Sequence, residues 1–180
     1  MTNTNSITVR KANARDDQLL CSICRLSYSE NFAGHWNEGG LNWYLEKVYS
    51  LEGIGLDLSD PEINYFIAFA GEEPVGFMKL FLDSPLPGHP LTKGVEIEKI
   101  YFRPRFQGMG IGKKLIGLAL EIGKRMGKEL IWLGVIDSNE NAIAFYKKMG
   151  FHIHDKTRLD IPYFKEELKG MLRMRLNIGS

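Results

Sequence analysis

Apolar side chains at Ile111, Leu115, Leu118, Ala119, Ile122 and Met126 fall four, seven, eight, eleven and fifteen positions from the first, the repeat of one helix face. The other face of that stretch is basic. Gly117 and Gly123 should weaken such a helix by up to about 1 kcal/mol each relative to Ala, unless the backbone is closely packed there. Residues 95–102 mix β-branched, apolar and aromatic side chains as a strand does, and Pro104 stops its pairing. Residues 129–135 form a short apolar run of the buried kind, so strand, helix and strand imply a parallel pair in a sheet covered on both faces. Upstream, residues 7–12 have strand character. Asp16 or Asp17 can cap a helix reaching about Ser29, with Leu19, Leu20, Ile23, Cys24 and Leu26 as its apolar positions. Gly34, Gly39 and Gly40 precede a second helix, and residues 53–61 read as a loop. Residues 64–70 and 75–82 read as a hairpin joined by Gly71-Glu-Glu-Pro74. Residues 84–94, with three prolines and two glycines, read as a mobile loop. Residues 151–159 and 171–178 supply closing strands, the second alternating Leu172, Met174 and Leu176 against Arg173 and Arg175.

Three glycines, at 108, 110 and 112, open the helix that starts at Ile111. The first N–H groups of a helix lack internal partners and carry partial positive charge, and missing Cβ atoms let a diphosphate approach the main chain. A phosphorylated ligand is therefore expected. A Walker loop requires glycine five positions before its Gly-Lys pair and Ser or Thr after it, but Gln107 and Lys114 stand there. A dinucleotide fingerprint fails as well, because Lys113 or Leu115 occupies its last glycine position.

The chain has 180 residues, 44% hydrophobic and 25% charged, which suits one domain over residues 1–180 with a full core. The polar start Met1-Thr-Asn-Thr-Asn-Ser6 lacks the basic and apolar regions of a signal peptide, and no apolar run approaches the ~20 residues of a membrane span, so the expected address is the cytoplasm. A net charge of +1 gives no case for nucleic acid. The distribution of charge says more. Residues 50–98 hold nine acids against two bases, and residues 99–128 hold eight bases against one acid. A basic half suits a polyanionic cofactor, and an acidic segment could attract a cationic co-substrate. Cys21 and Cys24 lack the second pair that a metal site needs, and His152 and His154 lack a third ligand, so no metal is expected. His35 reads as a surface or capping residue. Tyr28, Phe32, Trp36, Trp43, Tyr44 and Tyr49 gather between residues 28 and 49, either as a satellite core or as one wall of an acceptor pocket.

The pattern Gln107-x-x-Gly110-x-Gly112 resembles the pyrophosphate signature of the GCN5-related N-acetyltransferases, and Asn139-x-x-Ala142-x-x-Phe145-Tyr146-x-x-x-Gly150-Phe151 resembles that family's second signature. Glu96-Ile-Glu-Lys-Ile-Tyr101 and Leu130-Ile-Trp-Leu-Gly-Val135 are similar to the bacterial spermidine/spermine acetyltransferases within it. The resemblance implies an α/β fold: a mixed, twisted sheet of six to seven strands flanked by about four helices, splayed between residues 95–102 and 129–135. It also implies acetyl-CoA as the donor. Gln107, Gly108, Met109, Gly110, Ile111, Gly112 and Lys113 would hold its pyrophosphate, Ile100, Tyr101 and Phe102 would pair with its pantetheine arm, and Asn139 would contact that arm. Lys113, Lys114 or Lys148 could meet phosphate charge. The acceptor would be a small-molecule amine, with spermidine or spermine preferred and Tyr28, Trp36 and Glu96 near it; a homodimer stays open.

The amine must be neutral to attack, and deprotonating a primary amine at pH 7 costs about three pKa units, roughly 4 kcal/mol. Glu98, taken to share the alternation phase of Ile100 and Phe102, is the expected base, directly or through water, with Glu96 in reserve. A backbone N–H of residues 100–102 could polarise the thioester carbonyl. Tyr146 would protonate the leaving thiolate. Two other functions remain open on the same fold: transfer to a protein or amino-acid amine, and a non-catalytic acyl-CoA-binding regulator.

Overall fold

The computed structural model describes residues 6–179; the polar start at residues 1–5 lies outside them. Seven strands form one sheet: β1 (Ile7–Lys11), β2 (Ile63–Ala70), β3 (Glu73–Phe81), β4 (Gly94–Phe102), β5 (Leu130–Ile136), β6 (His152–Arg158) and β7 (Gly170–Asn177). Their spatial order is β1-β2-β3-β4-β5-β7-β6, with β4 and β5 parallel and every other pair antiparallel. The last strand in sequence thus lies between β5 and β6. Two cores sit on opposite faces. On one, α4 (Ile111–Arg125) buries Ile111, Leu115, Ile116, Ala119 and Ile122 against Met78, Leu80, Val95, Ile97 and Leu133. On the other, α1 (Asp17–Phe32), α2 (Gly40–Val48) and α3 (Leu51–Ser59) cover Tyr65, Ile67 and Phe77. α5 (Glu140–Lys148) joins β5 to β6. Among the described residues no helix is long and apolar enough to cross a membrane.

Several boundaries differ from the sequence reading for identifiable reasons. α3 occupies what reads as a loop at residues 53–61. Its two glycines cost about 1 kcal/mol each in a helix. Full burial of Ile54 returns about 2 to 3 kcal/mol, and the Ser50 hydroxyl, which accepts from Gly53 N at 3.1 Å, adds about 1. α1 runs on to Phe32, whose ring stacks on Tyr28 with centroids 4.9 Å apart. Met126 leaves the apolar face of α4, because the helix ends at Arg125 and Met126 is 42% exposed. Gly123 is closely packed: a Cβ there would meet Ile178 Cδ1 at 2.6 Å, so that side chain would have to move. Gly117 has open space around it and no such compensation.

The segment read as a mobile loop, residues 84–94, is anchored. Leu86 is fully buried against Leu130 and Trp132, the Trp132 indole donates to Ser84 O at 2.9 Å, and Thr92 Oγ1 accepts from Leu86 N at 2.9 Å.

Candidate active site

The parallel pairing of β4 with β5 covers only Gly94–Ile97 and Leu130–Leu133, although both strands continue. Beyond Ile97 the strands part, which is the splay expected between Tyr101 and Val135. Arg103 N donates to Val75 O at 2.8 Å, and antiparallel strands alternate the direction of their backbone groups, so Tyr101 and Lys99 bond toward β3. Ile100 and Phe102 then aim their N–H and C=O groups into the splay. One of these is already used, since the Asn31 side chain donates to Phe102 O at 2.9 Å.

The chain lines the splay with a cleft of about 1090 Å³. At one end lies the glycine loop. Gly108 and Gly110 hold φ of 84° and 79°, the left-handed region that disfavours side chains, and a Cβ on either would point into open space. The N–H groups of Gly108, Gly110, Ile111, Gly112 and Lys113 make no hydrogen bond to any described residue. Contiguous free donors at a helix start, with Lys113 beside them, fit a diphosphate. Asn139 caps α5, its side-chain oxygen accepting from Ala142 N at 3.2 Å, and also lines the cleft. Tyr146, one turn inside α5, lines it too; burial raises the pKa of its hydroxyl above the ordinary 10.0, so it keeps its proton. Met109 points to solvent and Lys148 is exposed; neither lines the cleft.

The other end is built from scattered side chains. A β-bulge decides their direction: Lys79 pairs with Lys99 and Leu80 with Ile97, leaving Glu98 as an extra residue with no partner. Val95 and Ile97 before the bulge, and Ile100 and Phe102 after it, all face the α4 core. Glu98 and Lys99 therefore both turn to the opposite face, with Tyr101. This corrects the simple alternation that put Glu98 in phase with Ile100 and Phe102. Glu98 Oε1 accepts from the Lys99 ammonium, and Oε2 is buried with no hydrogen-bond partner. Burial is the largest single influence and works against the Lys99 charge, but the adjacent Glu98 carboxylate together with Tyr44 and Tyr101 raises the ammonium's pKa above its ordinary value. Glu96, two residues earlier on the same face, accepts from Ser84 Oγ at 2.9 Å; burial raises its pKa despite that bond.

Tyr28 lines the cleft between Tyr44, stacked at 4.7 Å, and the edge of Tyr101 at 5.6 Å. Trp36 does not line it. Only 6% exposed, it packs edge-on against Phe164 at 4.9 Å and belongs to the satellite core, with its indole N–H lacking an acceptor. The aromatic stretch is thus both things at once, a core whose rim is a wall. His35 also reaches the cleft between Phe32 and Phe164, and burial lowers its pKa. Sequence reasoning passed over Lys99, Gly134, Phe164 and Arg173 as lining residues. The alternation of β7 and the lone glycine inside β5 were the available signals for Arg173 and Gly134.

Of the nine acids in residues 50–98, only Glu96 and Glu98 line the cleft. Asp57 pairs with Lys79, Glu73 with Arg103 and Arg105, and Asp83 with Lys128. Among the described residues no cluster of His, Cys, Asp or Glu could hold a metal ion, and Cys21 and Cys24 are free thiols packed in α1.

The acetyltransferase (GNAT) family profile matches residues 24–151, a stretch that holds the bulge, the splay, the glycine loop and α5. The chain belongs to this family. Acetyl transfer to an amine, with acetyl-CoA as donor, follows from membership, and the free donors and splay fit that cofactor. Among GNAT relatives, the spermidine N(1)-acetyltransferase of Thermoplasma acidophilum is 27% identical over 154 residues, covering 83% of this chain and 91% of that one. The peptidyl-lysine N-acetyltransferase YjaB of Salmonella typhimurium is 31% identical over 157 residues, covering 86% and 89%. Among solved GNAT structures, the PaiA N-acetyltransferase of T. acidophilum in complex with coenzyme A superimposes with a TM-score of 0.75 at 24% identity, covering 96% of this chain and 99% of that one.

Proposed function

We propose that the chain acetylates a primary amine of a short polyamine such as spermidine or spermine, by direct attack in a ternary complex, with the cytoplasm as its compartment. The observation that carries this reading is the pair of carboxylates, Glu98 at the splay and Glu96 beyond it, on one face of β4 inside an aromatic-walled cleft. Two strand positions span about 6 to 7 Å, roughly the separation of neighbouring nitrogens in a polyamine. One nitrogen lies at Glu98 while Glu96 holds the next as an ammonium. The spermidine-acetylating relative supports the same acceptor class.

Acetyl-CoA supplies an activated acetyl thioester. Gln107 through Lys113 hold its diphosphate, mainly with backbone N–H groups. Ile100 and Phe102 present backbone groups to its pantetheine arm, with Tyr101 between them on the cleft wall and Asn139 facing the arm. Glu98 takes the amine proton, directly or through water, and Lys99 offsets the carboxylate's charge so that the incoming ammonium is not trapped there. The N–H groups of Ile100 and Phe102 face the position of the acetyl oxygen. Tyr146 donates its proton to the leaving sulfur. Tyr28 forms the acceptor wall.

The test is thiol release from acetyl-CoA with spermidine, spermine, free amino acids and a lysine peptide. Turnover with the polyamines is expected. Turnover confined to the peptide would replace the acceptor with protein lysine, the substrate class of the YjaB relative. Cofactor binding with no turnover on any amine would replace the enzyme with a regulator.

A further inference from the structure

Glu98 stands between two lysines. Lys99 occupies Oε1. On the other side stands Lys79 of β3, the cross-strand partner of Lys99, with its ammonium 3.9 Å from Glu98 Oε2. That distance is within the reach of an ion pair and beyond that of a hydrogen bond. Oε2 is accordingly shielded from solvent, beside a positive charge, with no donor on it. A carboxylate oxygen without a donor has its lone pairs unoccupied.

The gap has a visible cause. Lys79 Nζ lies 2.7 Å from Asp57 Oδ2 of α3, which draws the ammonium away from Glu98. Asp57 is itself fixed by the Tyr65 hydroxyl, which donates to Oδ2 at 2.7 Å. The ammonium lies over two rings, with Nζ 5.4 Å from the Tyr65 centroid and 4.9 Å from that of Phe81, which limits where it can swing. Charges therefore alternate from α3 across the sheet to the cleft: Asp57, Lys79, Glu98, Lys99. Neither Asp57 nor Lys79 lines the cleft.

We infer that Asp57 and Lys79 are positioning residues for the proposed base: Lys79 pins the Glu98 carboxylate in the bulge, and Asp57 holds Lys79 back so that Oε2 stays free for the proton. A bulged residue has no ladder partner to fix it, so its side chain needs this external restraint. The inference rests on the reading of Glu98 as the base.

A double-mutant cycle on the full chain separates the two, using the amine of highest turnover in the panel above. Glu98→Gln is expected to lower kcat about 100-fold. Lys79→Met, which keeps an unbranched apolar side chain and removes the charge, is expected to lower kcat about 10- to 100-fold, with KM for acetyl-CoA changed less than about twofold. Lys79→Arg should restore most of the loss. Asp57→Asn, which frees Lys79 to bond Oε2, should lower kcat about 3- to 10-fold. In the Glu98→Gln background, neither Lys79→Met nor Asp57→Asn should lower kcat further. Additive losses in that background, or an unchanged kcat for Lys79→Met, would overturn the positioning role and leave Glu98 as base. An unchanged kcat for Glu98→Gln would overturn the base and the positioning pair together. Should Lys79→Met fail to show a cooperative thermal transition, the same cycle with Asp57→Asn decides the question.

Discussion

The two ends of the cleft are made of different material. The cofactor end presents backbone N–H groups of consecutive residues, fixed by two positive-φ glycines and a helix start. The acceptor end presents side chains from α1, β4, β5, β7 and the segment before β7, residues distant in sequence that meet only in the folded sheet. A backbone cradle recognises a phosphate wherever the local conformation forms, and its side chains are free to vary. A side-chain pocket depends on every strand keeping its register, and each substitution in it changes which amine fits.

Substitutions should separate the two ends. The largest effect is expected for Tyr146→Phe, with kcat down about 100-fold and acetyl-CoA affinity nearly unchanged, read by steady-state rates beside equilibrium cofactor binding. Because burial raises its pKa above 10.0, the native enzyme should show no loss of kcat from this group as pH rises from 7 to about 9. Gly110→Ala forces a side chain into φ of 79°, a cost of about 1 to 2 kcal/mol, and should raise KM for acetyl-CoA about 10-fold while leaving the ranking of amines intact. Glu96→Gln should do the reverse: KM for a diamine rises about 5- to 10-fold, KM for a monoamine of equal length stays put, and cofactor affinity is unaffected. Equal effects on both amines would remove Glu96 from the acceptor site. The smallest change is expected for Gly134→Ala, whose Cβ would meet only Met171 Cε at 3.0 Å, the movable end of a flexible side chain. A shift of about twofold in acceptor KM is expected, against none for acetyl-CoA.

The same contrast governs what could be read from residues alone. Gln107 through Lys113 and Asn139 through Phe151 are contiguous, so their sequence is their geometry, and the elements around them follow from regular apolar spacing. The splay follows from neither. It appears as a parallel pairing that stops at Ile97 and Leu133 while both strands continue. Glu98 illustrates the limit most clearly. Alternation placed it in phase with Ile100, but a single unpaired residue at the bulge reverses the phase, and no local composition marks that insertion. Lys99 was hidden for the same reason. α3 was obscured by Gly53 and Gly55, where burial of Ile54 outweighs propensity. The acidic balance of residues 50–98 suggested an attractive acceptor site, yet only Glu96 and Glu98 line the cleft and Asp57, Glu73 and Asp83 are paired with bases outside it, so net charge over a segment overstated what the cleft feels.

The insertion of β7 between β5 and β6 has a consequence for biosynthesis. A ribosome delivers β5 and β6 well before Gly170–Asn177, so the edge of β5 stays open, with Leu130–Ile136 unpaired on that side, until the final strand is made. The cofactor signatures are translated by residue 151, but the wall that Arg173 and Met171 give the cleft comes last. Catalytic competence therefore waits on Gly170–Asn177, and chains truncated before Gly170 should carry an exposed apolar strand edge that invites aggregation or a chaperone. Protease protection of released chains, lengthened stepwise through residue 177, should rise in one step as β7 enters the sheet.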